Sequence, residues 1–376
     1  MNNIKASINV NFDDNPYEIY IMRGAVNKVG SLLKEKTNNN NVLIIADTFF
    51  KDSIVEKIAL DLKSNNYIVY IYFMNAGKGN KNFNEILKIY SILEENDLAR
   101  DSTIIAVGGG VIGDLSGFIA STWYRGMNLV HVPTTLMAMV DSSIGGKVAI
   151  NYRKTINAIG NYHHPIFTLM DLDLIDTLSD RDYNSGLAEV IKCAIISDKY
   201  LYSYLENNIE NILGREEKDV IYFMSKAIKI KIKHVLGDTR EGGKRLLLNY
   251  GHTLGHAIEI STEKNYQEWY RHGEGVSIGI SAVAYIATRY FEISSDIEKS
   301  FLKLFKSYGL PTYIDTSTME FDKDALFKAC IRNVKKDKKR IGNNLRLILS
   351  RNIGEASIHT DIPFKHIEEA FKYIIR

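Results

Sequence analysis

The feature that most constrains the fold of this chain is a series of short apolar runs in its first half. The runs are rich in isoleucine and valine, and longer amphipathic stretches such as NEILKIYSILEEN at 84–96 separate them. This alternation is typical of a parallel sheet covered by helices. We therefore predict an α/β domain with a Rossmann-like parallel sheet, whose strands include 41–47, 67–73, 102–108 and 127–133.

The second half of the chain has a different periodicity. From about residue 177 the strand signal fades, and apolar residues recur at helical spacing through 200–213, 219–236 and 296–308. The segment LRLILS at 345–350 is the one convincing late strand. Because single cores seldom grow beyond about 250 to 300 residues, we predict two closely packed domains, an α/β domain at 1–176 and a mostly α-helical domain at 177–376.

Composition restricts the partners and the compartment. The formal net charge of +2 gives no preference for nucleic acid, and the basic run KKDKKR at 335–340 reads most simply as a solvated loop. Two cysteines, Cys193 and Cys330, cannot build a disulfide framework. No signal peptide is visible, and no stretch offers the roughly 18 continuous apolar residues of a membrane span. We expect a cytoplasmic protein that binds neither nucleic acid nor membrane.

A glycine-rich turn follows the third apolar run. Gly108, Gly110 and Gly113 satisfy G-x-G-x-x-G and lead into an apolar helix, so backbone N–H groups there could approach a pyrophosphate. Asp47, at the end of the first run, could accept hydrogen bonds from a ribose diol, or could simply terminate its strand in a turn. A single match to this motif is weak evidence for a dinucleotide site.

The fourth apolar run is followed by a segment dense in short polar side chains. Such density after a strand is characteristic of a ligand-binding loop. The polar residues surround a double glycine and are Thr134, Thr135, Asp141, Ser142, Ser143, Lys147 and Asn151.

A pair of histidines predicts a metal site in the second half. His252 and His256 are four residues apart on a predicted helix that begins near His252, so both imidazoles lie on one helical face. A third ligand could be Glu189, which shares the polar side of its helix with Lys192, and His272 opens another helix rich in small residues. Two imidazoles and a carboxylate suit zinc or a similar divalent ion. The alternative is a histidine pair on a helix surface or in the core.

Six segments, in this order and over essentially the whole chain, resemble the 3-dehydroquinate synthases of the sugar phosphate cyclase superfamily. They are GGGVIGDLSGFIAS at 108–121, YRG at 124–126, VPTTLMAMVDSSIGGKVAIN at 132–151, SGLAEVIK at 185–192, LLLNYGHTLGHAIE at 246–259 and HGEG at 272–275. The resemblance implies an NAD-binding α/β domain, a helical domain with a zinc or cobalt ion, a homodimer, and a place in the shikimate pathway. In this family 3-deoxy-arabino-heptulosonate 7-phosphate is oxidised by NAD, loses phosphate, is reduced again and closes to a carbocycle.

The resemblance also assigns residues. The metal ligands would be Glu189, His252 and His272, and His256 would contact substrate instead of metal. The substrate would be held by Asp141, Lys147, Lys192, Lys231, Asn249 and His256, with Asn157 and Lys338 or Lys339 completing the phosphate site and Arg125 reaching across a dimer. NAD would be bound by Asp47, Gly77, Lys81, Gly109, Gly110, Val111, Asp114, Thr134, Thr135, Ser142, Lys147 and Thr177.

Arg245 bears on substrate choice. Its guanidinium fits a planar carboxylate with two parallel hydrogen bonds, and the matching arginine of the family binds the substrate acid. Related cyclases without a substrate carboxylate tend to differ around this arginine and Asn249, and both residues are present here. The resemblance therefore favours the acid substrate or its amino analogue. A surface salt bridge is the simpler alternative for Arg245.

Two positions depart from the family pattern. Lys78 stands where a glutamate that contacts the adenosine ribose is expected, and Ile156 stands where a lysine is expected. We predict a chain that still uses NAD in an altered pocket, with Asp47 or Lys154 compensating. The alternatives are a specialised paralogue such as an aminodehydroquinate synthase, a metal-dependent polyol dehydrogenase, and a non-catalytic nucleotide or sugar sensor.

Overall fold

The computed structural model describes residues 6–12, 15–75, 77–153, 155–263, 268–319, 321–336 and 345–376. The chain forms two compact units. Unit 1 contains Met1–Ser179 and Val235–Arg240, and unit 2 contains Asp180–His234 and Glu241–Arg376. The inclusion of 235–240 in unit 1 was not predicted.

Unit 1 is built on a seven-stranded sheet. Its strands are β1 (Ala6–Phe12), β2 (Asn15–Met22), β3 (Asn41–Asp47), β4 (Ile68–Met74), β5 (Thr103–Gly108), β6 (Asn128–Pro133) and, after a separate hairpin, β9 (Phe167–Asp171). The order is β1-β2-β9-β6-β5-β3-β4. The four predicted strands are β3 to β6, each within one residue of its predicted ends, and they pair in parallel as expected.

Helices cover the sheet because its central strands are apolar on both faces. They are α1 (Val29–Lys34), α2 (Ile54–Ser64), α3 (Phe83–Glu95) and α4 (Gly110–Thr122). Leu43 and Ile45 of β3 belong to one buried cluster with Ile86 and Ile89 of α3 and Leu115 of α4. This core fixes the start of α4 at the end of β5, where the glycine-rich turn lies.

Several strands of unit 1 were not predicted. β1 pairs antiparallel with β2, and β7 (Lys147–Tyr152) with β8 (Thr155–Tyr162) forms a separate antiparallel hairpin. Almost every residue of β8 is exposed. Without a buried face, a strand carries no apolar signal in its sequence, so β8 was not predicted, whereas most of β7 falls in the segment predicted to be a ligand-binding loop.

Unit 2 is mostly helical, as predicted. Its helices are α5 (Asp180–Ser197), α6 (Lys199–Asn207), α7 (Ile209–Leu213), α8 (Glu217–Val235), α9 (His252–Thr262), α10 (His272–Tyr290), α11 (Asp296–Ser307), α12 (Lys323–Lys335) and α13 (Phe364–Ile374). The predicted late strand is β10 (Leu347–Asn352), which pairs antiparallel with an unpredicted strand, β11 (Glu355–His359). A short 3-10 helix spans Lys244–Asn249 before α9.

Helices α9 and α10 approach each other closely through glycines. A Cβ added to Gly279 would lie 2.2 Å from the carbonyl oxygen of Gly251, and one added to Gly255 would lie 2.8 Å from that of Gly275. Any larger residue would therefore force the two helices apart. This contact holds together the amino-terminal ends of α9 and α10, where His252 and His272 lie.

Among the described residues, none of the helices has the length and apolar character that crossing a membrane requires.

Candidate metal centre and ligand-binding residues

Three side chains from three helices of unit 2 converge on one point. Glu189 lies in the middle of α5, and His252 and His272 are the first residues of α9 and α10. Nε2 of His252 is 3.4 Å from Oε1 of Glu189, and Nε2 of His272 is 3.6 Å from the same oxygen. All three ligand atoms lie within 4.8 Å of one another.

These separations fit a tetrahedral metal ion. Zinc binds imidazole nitrogen and carboxylate oxygen at about 2.0 to 2.2 Å, which places neighbouring ligand atoms about 3.4 Å apart in a tetrahedron. Among the described residues, Oε1 of Glu189 has no hydrogen-bond partner although it is buried. A buried carboxylate oxygen without a partner is costly, and a cation at this point would remove that cost.

Neighbouring groups orient both histidines. Nδ1 of His252 lies 3.1 Å from the carbonyl oxygen of Tyr250, so this nitrogen carries the proton and Nε2 is left to bind a metal. Nδ1 of His272 lies 3.0 Å from Oε1 of Glu259, which orients His272 in the same way. A carboxylate behind a histidine raises the basicity of the ligand. Glu259 is not among the predicted site residues, although its position three residues after His256 in HTLGHAIE was a usable signal.

The charges around Glu189 keep the ligands in the form that binds metal. Burial raises the pKa of Glu189, but the neighbouring positive charge, with Lys192 as its largest contributor, more than offsets burial and holds that pKa well below its usual range. Lys192 contacts Oε2 of Glu189. Burial lowers the pKa of His252, against the opposing effect of Glu189. At neutral pH the site therefore presents a carboxylate and a neutral imidazole, as metal binding requires.

The other predicted substrate residues of unit 2 come from elements next to these ligands. Lys192 is on α5 with Glu189, and Lys231 is on α8. Arg245 and Asn249 are on the 3-10 helix, and Arg245 is buried. Nδ2 of Asn249 donates to Oε1 of Glu241 over 2.6 Å. The ring of His256 lies 5.4 Å from that of His252 and 5.6 Å from that of His272, so His256 borders the metal centre.

Lys338 and Lys339, with most of the basic run, lie outside the described residues, as does Lys154.

In unit 1, the predicted dinucleotide residues gather at the carboxyl ends of parallel strands. The register sets Gly108 of β5 beside Pro133 of β6, so Gly109 and Thr134 follow at the same edge, and the amide of Thr134 donates to the carbonyl of Gly108 over 3.0 Å. This edge is where open α/β sheets bind ligands. α4 begins at Gly110, as predicted, with Val111 and Asp114 in its first turns.

Side chains of the polar segment line this turn. A Cβ added to Gly109 would lie 3.3 Å from Cγ2 of Thr135, and one added to Gly110 would lie 3.1 Å from Oγ of Ser142. Glycine at both positions leaves the backbone accessible. Ser142 ends a π-helical turn, Ala138–Ser142, that also contains Asp141, and such turns are frequent at functional sites.

Lys81, Asp114 and Asn157 form a cluster that the sequence did not predict as a unit. Nζ of the buried Lys81 lies 2.5 Å from Oδ2 of Asp114 and 2.5 Å from Oδ1 of Asn157. Asn157 adopts a left-handed backbone conformation with φ of 49°. The resemblance assigned Lys81 and Asp114 to the cofactor and Asn157 to the substrate, so this cluster joins residues of both predicted sites.

The remaining predicted residues of unit 1 are more dispersed. Asp47 accepts a hydrogen bond from the amide of Phe49 over 3.1 Å. This is the strand-end role that was the alternative to ribose binding. Thr177 ends a 3-10 helix, and its hydroxyl donates to the carbonyl of Leu174 over 2.7 Å. Arg125 follows α4 with φ of 64°. The others are Gly77, before the turn at Lys78–Asn80, Lys147, the first residue of β7, and Ile156, a partly exposed residue of β8.

Comparison with known protein families gives matches over most of the chain. The family described as 3-dehydroquinate synthase N-terminal matches residues 71–185, and the one described as 3-dehydroquinate synthase C-terminal matches residues 186–340. A 3-dehydroquinate synthase of Prochlorococcus marinus subsp. pastoris is 38% identical over 362 residues, covering 95% of this chain and 97% of that protein.

Solved structures resemble the fold. A 2-deoxy-scyllo-inosose synthase complexed with carbaglucose-6-phosphate, NAD+ and Co2+ superposes with a TM-score of 0.87 at 24% identity, covering 98% of this chain and all of that one. A 2-epi-5-epi-valiolone synthase of Streptomyces hygroscopicus subsp. jinggangensis with NAD+ and Zn2+ has a TM-score of 0.82 at 23% identity, covering 95% of this chain and 96% of that one. They confirm the predicted fold class.

Proposed function

Because the chain belongs to the 3-dehydroquinate synthase family, we propose that it converts 3-deoxy-arabino-heptulosonate 7-phosphate to 3-dehydroquinate and phosphate, with NAD and a divalent metal as cofactors. The observation that carries this proposal is the convergence of Glu189, His252 and His272 around a single point. Three ligands that leave a coordination position for substrate are typical of a catalytic metal site.

The cofactors would supply the chemistry that side chains lack. Bound NAD would accept and return a hydride, and a bound zinc or cobalt ion would stabilise negative charge on substrate oxygens. The glycine turn at Gly109 and Gly110, at the amino terminus of α4, would hold the pyrophosphate of NAD. The solved relatives with NAD+ and Co2+ or Zn2+ support this assignment.

We assign substrate binding to charged and polar side chains. Arg245 would hold the substrate carboxylate through two parallel hydrogen bonds. Lys192, whose ammonium contacts Oε2 of Glu189, would place a positive charge beside the proposed metal ligands. The phosphate and the remaining hydroxyls would be held by Asp141, Lys147, Asn157, Lys231, Asn249, His256 and Lys338 or Lys339.

We also propose a homodimer in which Arg125 contributes to the partner's site. Thirteen residues of α4 separate the glycine turn from Thr122, a length of about 18 Å at 1.5 Å per residue. Arg125 therefore lies towards the opposite end of the parallel strands from the glycine turn of its own chain.

Cys193 and Cys330 are both buried and unbridged, which supports a reducing, cytoplasmic location.

A phosphate-release assay tests the proposed activity. The acid substrate, its amino analogue and a sugar phosphate without a carboxylate would each be incubated with the metal-loaded protein and NAD. We expect many turnovers of phosphate release from the acid, with no net change in NADH absorbance, because the cofactor is regenerated. Preference for the amino analogue would indicate the specialised paralogue.

The same assay separates the other classes. A polyol dehydrogenase would accumulate NADH without releasing phosphate, and a sensor would do neither. Either of these results would contradict the proposed function.

A further inference from the structure

A buried histidine joins three elements of unit 2 without belonging to the metal site. His234 lies near the end of α8, and its Nε2 is 2.6 Å from Oγ of Ser197, the last residue of α5. Its Nδ1 is 3.2 Å from the carbonyl oxygen of Lys244, the first residue of the 3-10 helix. One imidazole ring therefore connects α5, α8 and the 3-10 helix.

The partners fix the protonation of this ring. The carbonyl oxygen of Lys244 can only accept, so Nδ1 of His234 carries the proton and donates. Nε2 is then the acceptor, and the hydroxyl of Ser197 donates to it. Both ring nitrogens are satisfied in the neutral form, which suits a side chain that is only 6% exposed.

Each connected element carries residues of the proposed active site. α5 carries Glu189 and Lys192, and α8 carries Lys231 one turn before His234. In the 3-10 helix, Arg245 directly follows the bonded carbonyl of Lys244. The hydrogen bond from His234 thus acts one residue away from the proposed carboxylate-binding arginine.

The hydrogen bond between His234 and Lys244 also links two residues of unit 2 between which the chain passes through unit 1. His234 is the last residue of unit 2 before the chain enters unit 1 at Val235, and the chain returns at Glu241. The hydrogen bond between His234 and Lys244 joins the two ends of the segment 235–243, which includes the part of the chain that belongs to unit 1. Closing a loop restricts the residues inside it, here 235–243, and the same hydrogen bond holds the first residue of the 3-10 helix at the end of that loop.

We propose that His234, braced by Ser197, is a positioning residue that holds Arg245 in place for the substrate carboxylate. The assignment of the carboxylate to Arg245 rests on the proposed function, whereas the ordering of the 3-10 helix by His234 does not. Discrimination between acid and non-acid substrates should therefore depend on His234, although His234 contacts neither kind of substrate.

Hydrogen exchange tests the structural half of the proposal independently of activity. In His234→Leu, amides of 244–249 should exchange faster than in the wild type, while those of α10 stay protected. His234→Asn, whose amide can still donate to the carbonyl of Lys244, should restore much of the protection. Ser197→Ala should also make the amides of 244–249 exchange faster, but to a smaller extent. Unchanged exchange at 244–249 in both His234→Leu and Ser197→Ala would overturn the proposal.

Substrate binding tests the functional half. We expect His234→Leu to weaken binding of the acid substrate by about three- to tenfold, the effect of one hydrogen bond, with less effect on an analogue lacking the carboxylate. In an Arg245→Ala background, His234→Leu should cause no further loss of discrimination, because the two residues act as a unit. His366→Leu, on α13, is the matched control and should change nothing.

Equal weakening for both ligands, or full additivity with Arg245→Ala, would contradict the role in carboxylate selection. If the wild type releases no phosphate from the acid, the proposed function fails, and the exchange experiment still decides whether His234 orders the 3-10 helix.

Discussion

At the scale of single residues, the proposed metal centre is arranged by neighbours that contact one polar atom of each of its three side chains. Lys192 contacts one oxygen of Glu189, and Tyr250 and Glu259 contact Nδ1 of the two histidines. In each case the second polar atom lies beside the other two ligand atoms. This ordering before metal binding lowers the entropic cost of coordination.

Glu259 should therefore control metal affinity without being a ligand. We expect Glu259→Gln to weaken zinc binding by about 10- to 100-fold, because a neutral amide supports the imidazole of His272 less well than a carboxylate. Competition with a chromogenic chelator would measure this. Glu355→Gln, at an exposed position of β11, is the control, and equal affinity in the two variants would exclude the role.

Arg245 should affect substrate and not metal. We expect Arg245→Ala to weaken binding of the carboxylate substrate by at least about tenfold, since a charged hydrogen-bonded pair contributes about 1.5 to 3 kcal/mol. Zinc content, measured by atomic absorption, should stay near one ion per chain. Parallel loss of metal and substrate would mean that this buried arginine only supports the fold.

At the scale of elements, the site depends on the close contact between α9 and α10. Both histidine ligands begin these helices, so a change in the distance between the helices also changes the distance between the ligands. Glycine at 251, 255, 275 and 279 makes the contact possible. The spacing of the proposed metal ligands therefore depends on glycines that are not themselves proposed as ligands.

Gly279→Ala tests this dependence. Its added Cβ would lie 2.2 Å from the carbonyl oxygen of Gly251, and we expect destabilisation of about 1 to 3 kcal/mol together with weaker zinc binding. Thermal unfolding and chelator competition would measure the two effects. Gly79→Ala, whose Cβ would meet no atom within 4 Å, is the control. Tight zinc binding in Gly279→Ala would show that the helix contact does not set the ligand spacing.

At the scale of the whole molecule, buried histidines make stability depend on pH. Burial lowers the pKa of His131, on β6, to about 4, with a smaller contribution from His163. The unfolded chain takes up this proton near pH 6.5, whereas the folded chain does not. The stabilisation is therefore complete above pH 6.5 and is lost as the pH falls towards 4, by roughly 3 kcal/mol for this group.

Replacing His131 should flatten this dependence. We expect the urea midpoint of His131→Asn to fall less steeply than that of the wild type between pH 6.5 and 4. All other titratable groups are the same in both proteins, so the difference reports His131 together with its small coupling to His163. An NMR titration of the His131 ring in the wild type gives the pKa even if the variant folds poorly, and a value near 6.5 would refute the expectation.

The sequence indicated the elements that have a strong apolar period. The strands β3 to β6 and the starts of α9 and α10 lie within a residue of their predicted positions, because burial of one face or both imposes a period that can be read locally. The strands β8 and β11 were not predicted because most of their residues are exposed. The alternating β1 and the buried β9 were not predicted either, although their sequences carry a strand period.

The sequence by itself determined the two kinds of architecture and the family, since each depends on local periodicity or on ordered motifs. Only the tertiary structure decided that Glu259 supports His272, that Lys81 joins Asp114 to Asn157, and that His234 bridges three elements. These contacts join side chains from different elements, or from separate segments of the chain. Folding brings them together through packing, and no local pattern in the sequence records which partners will meet.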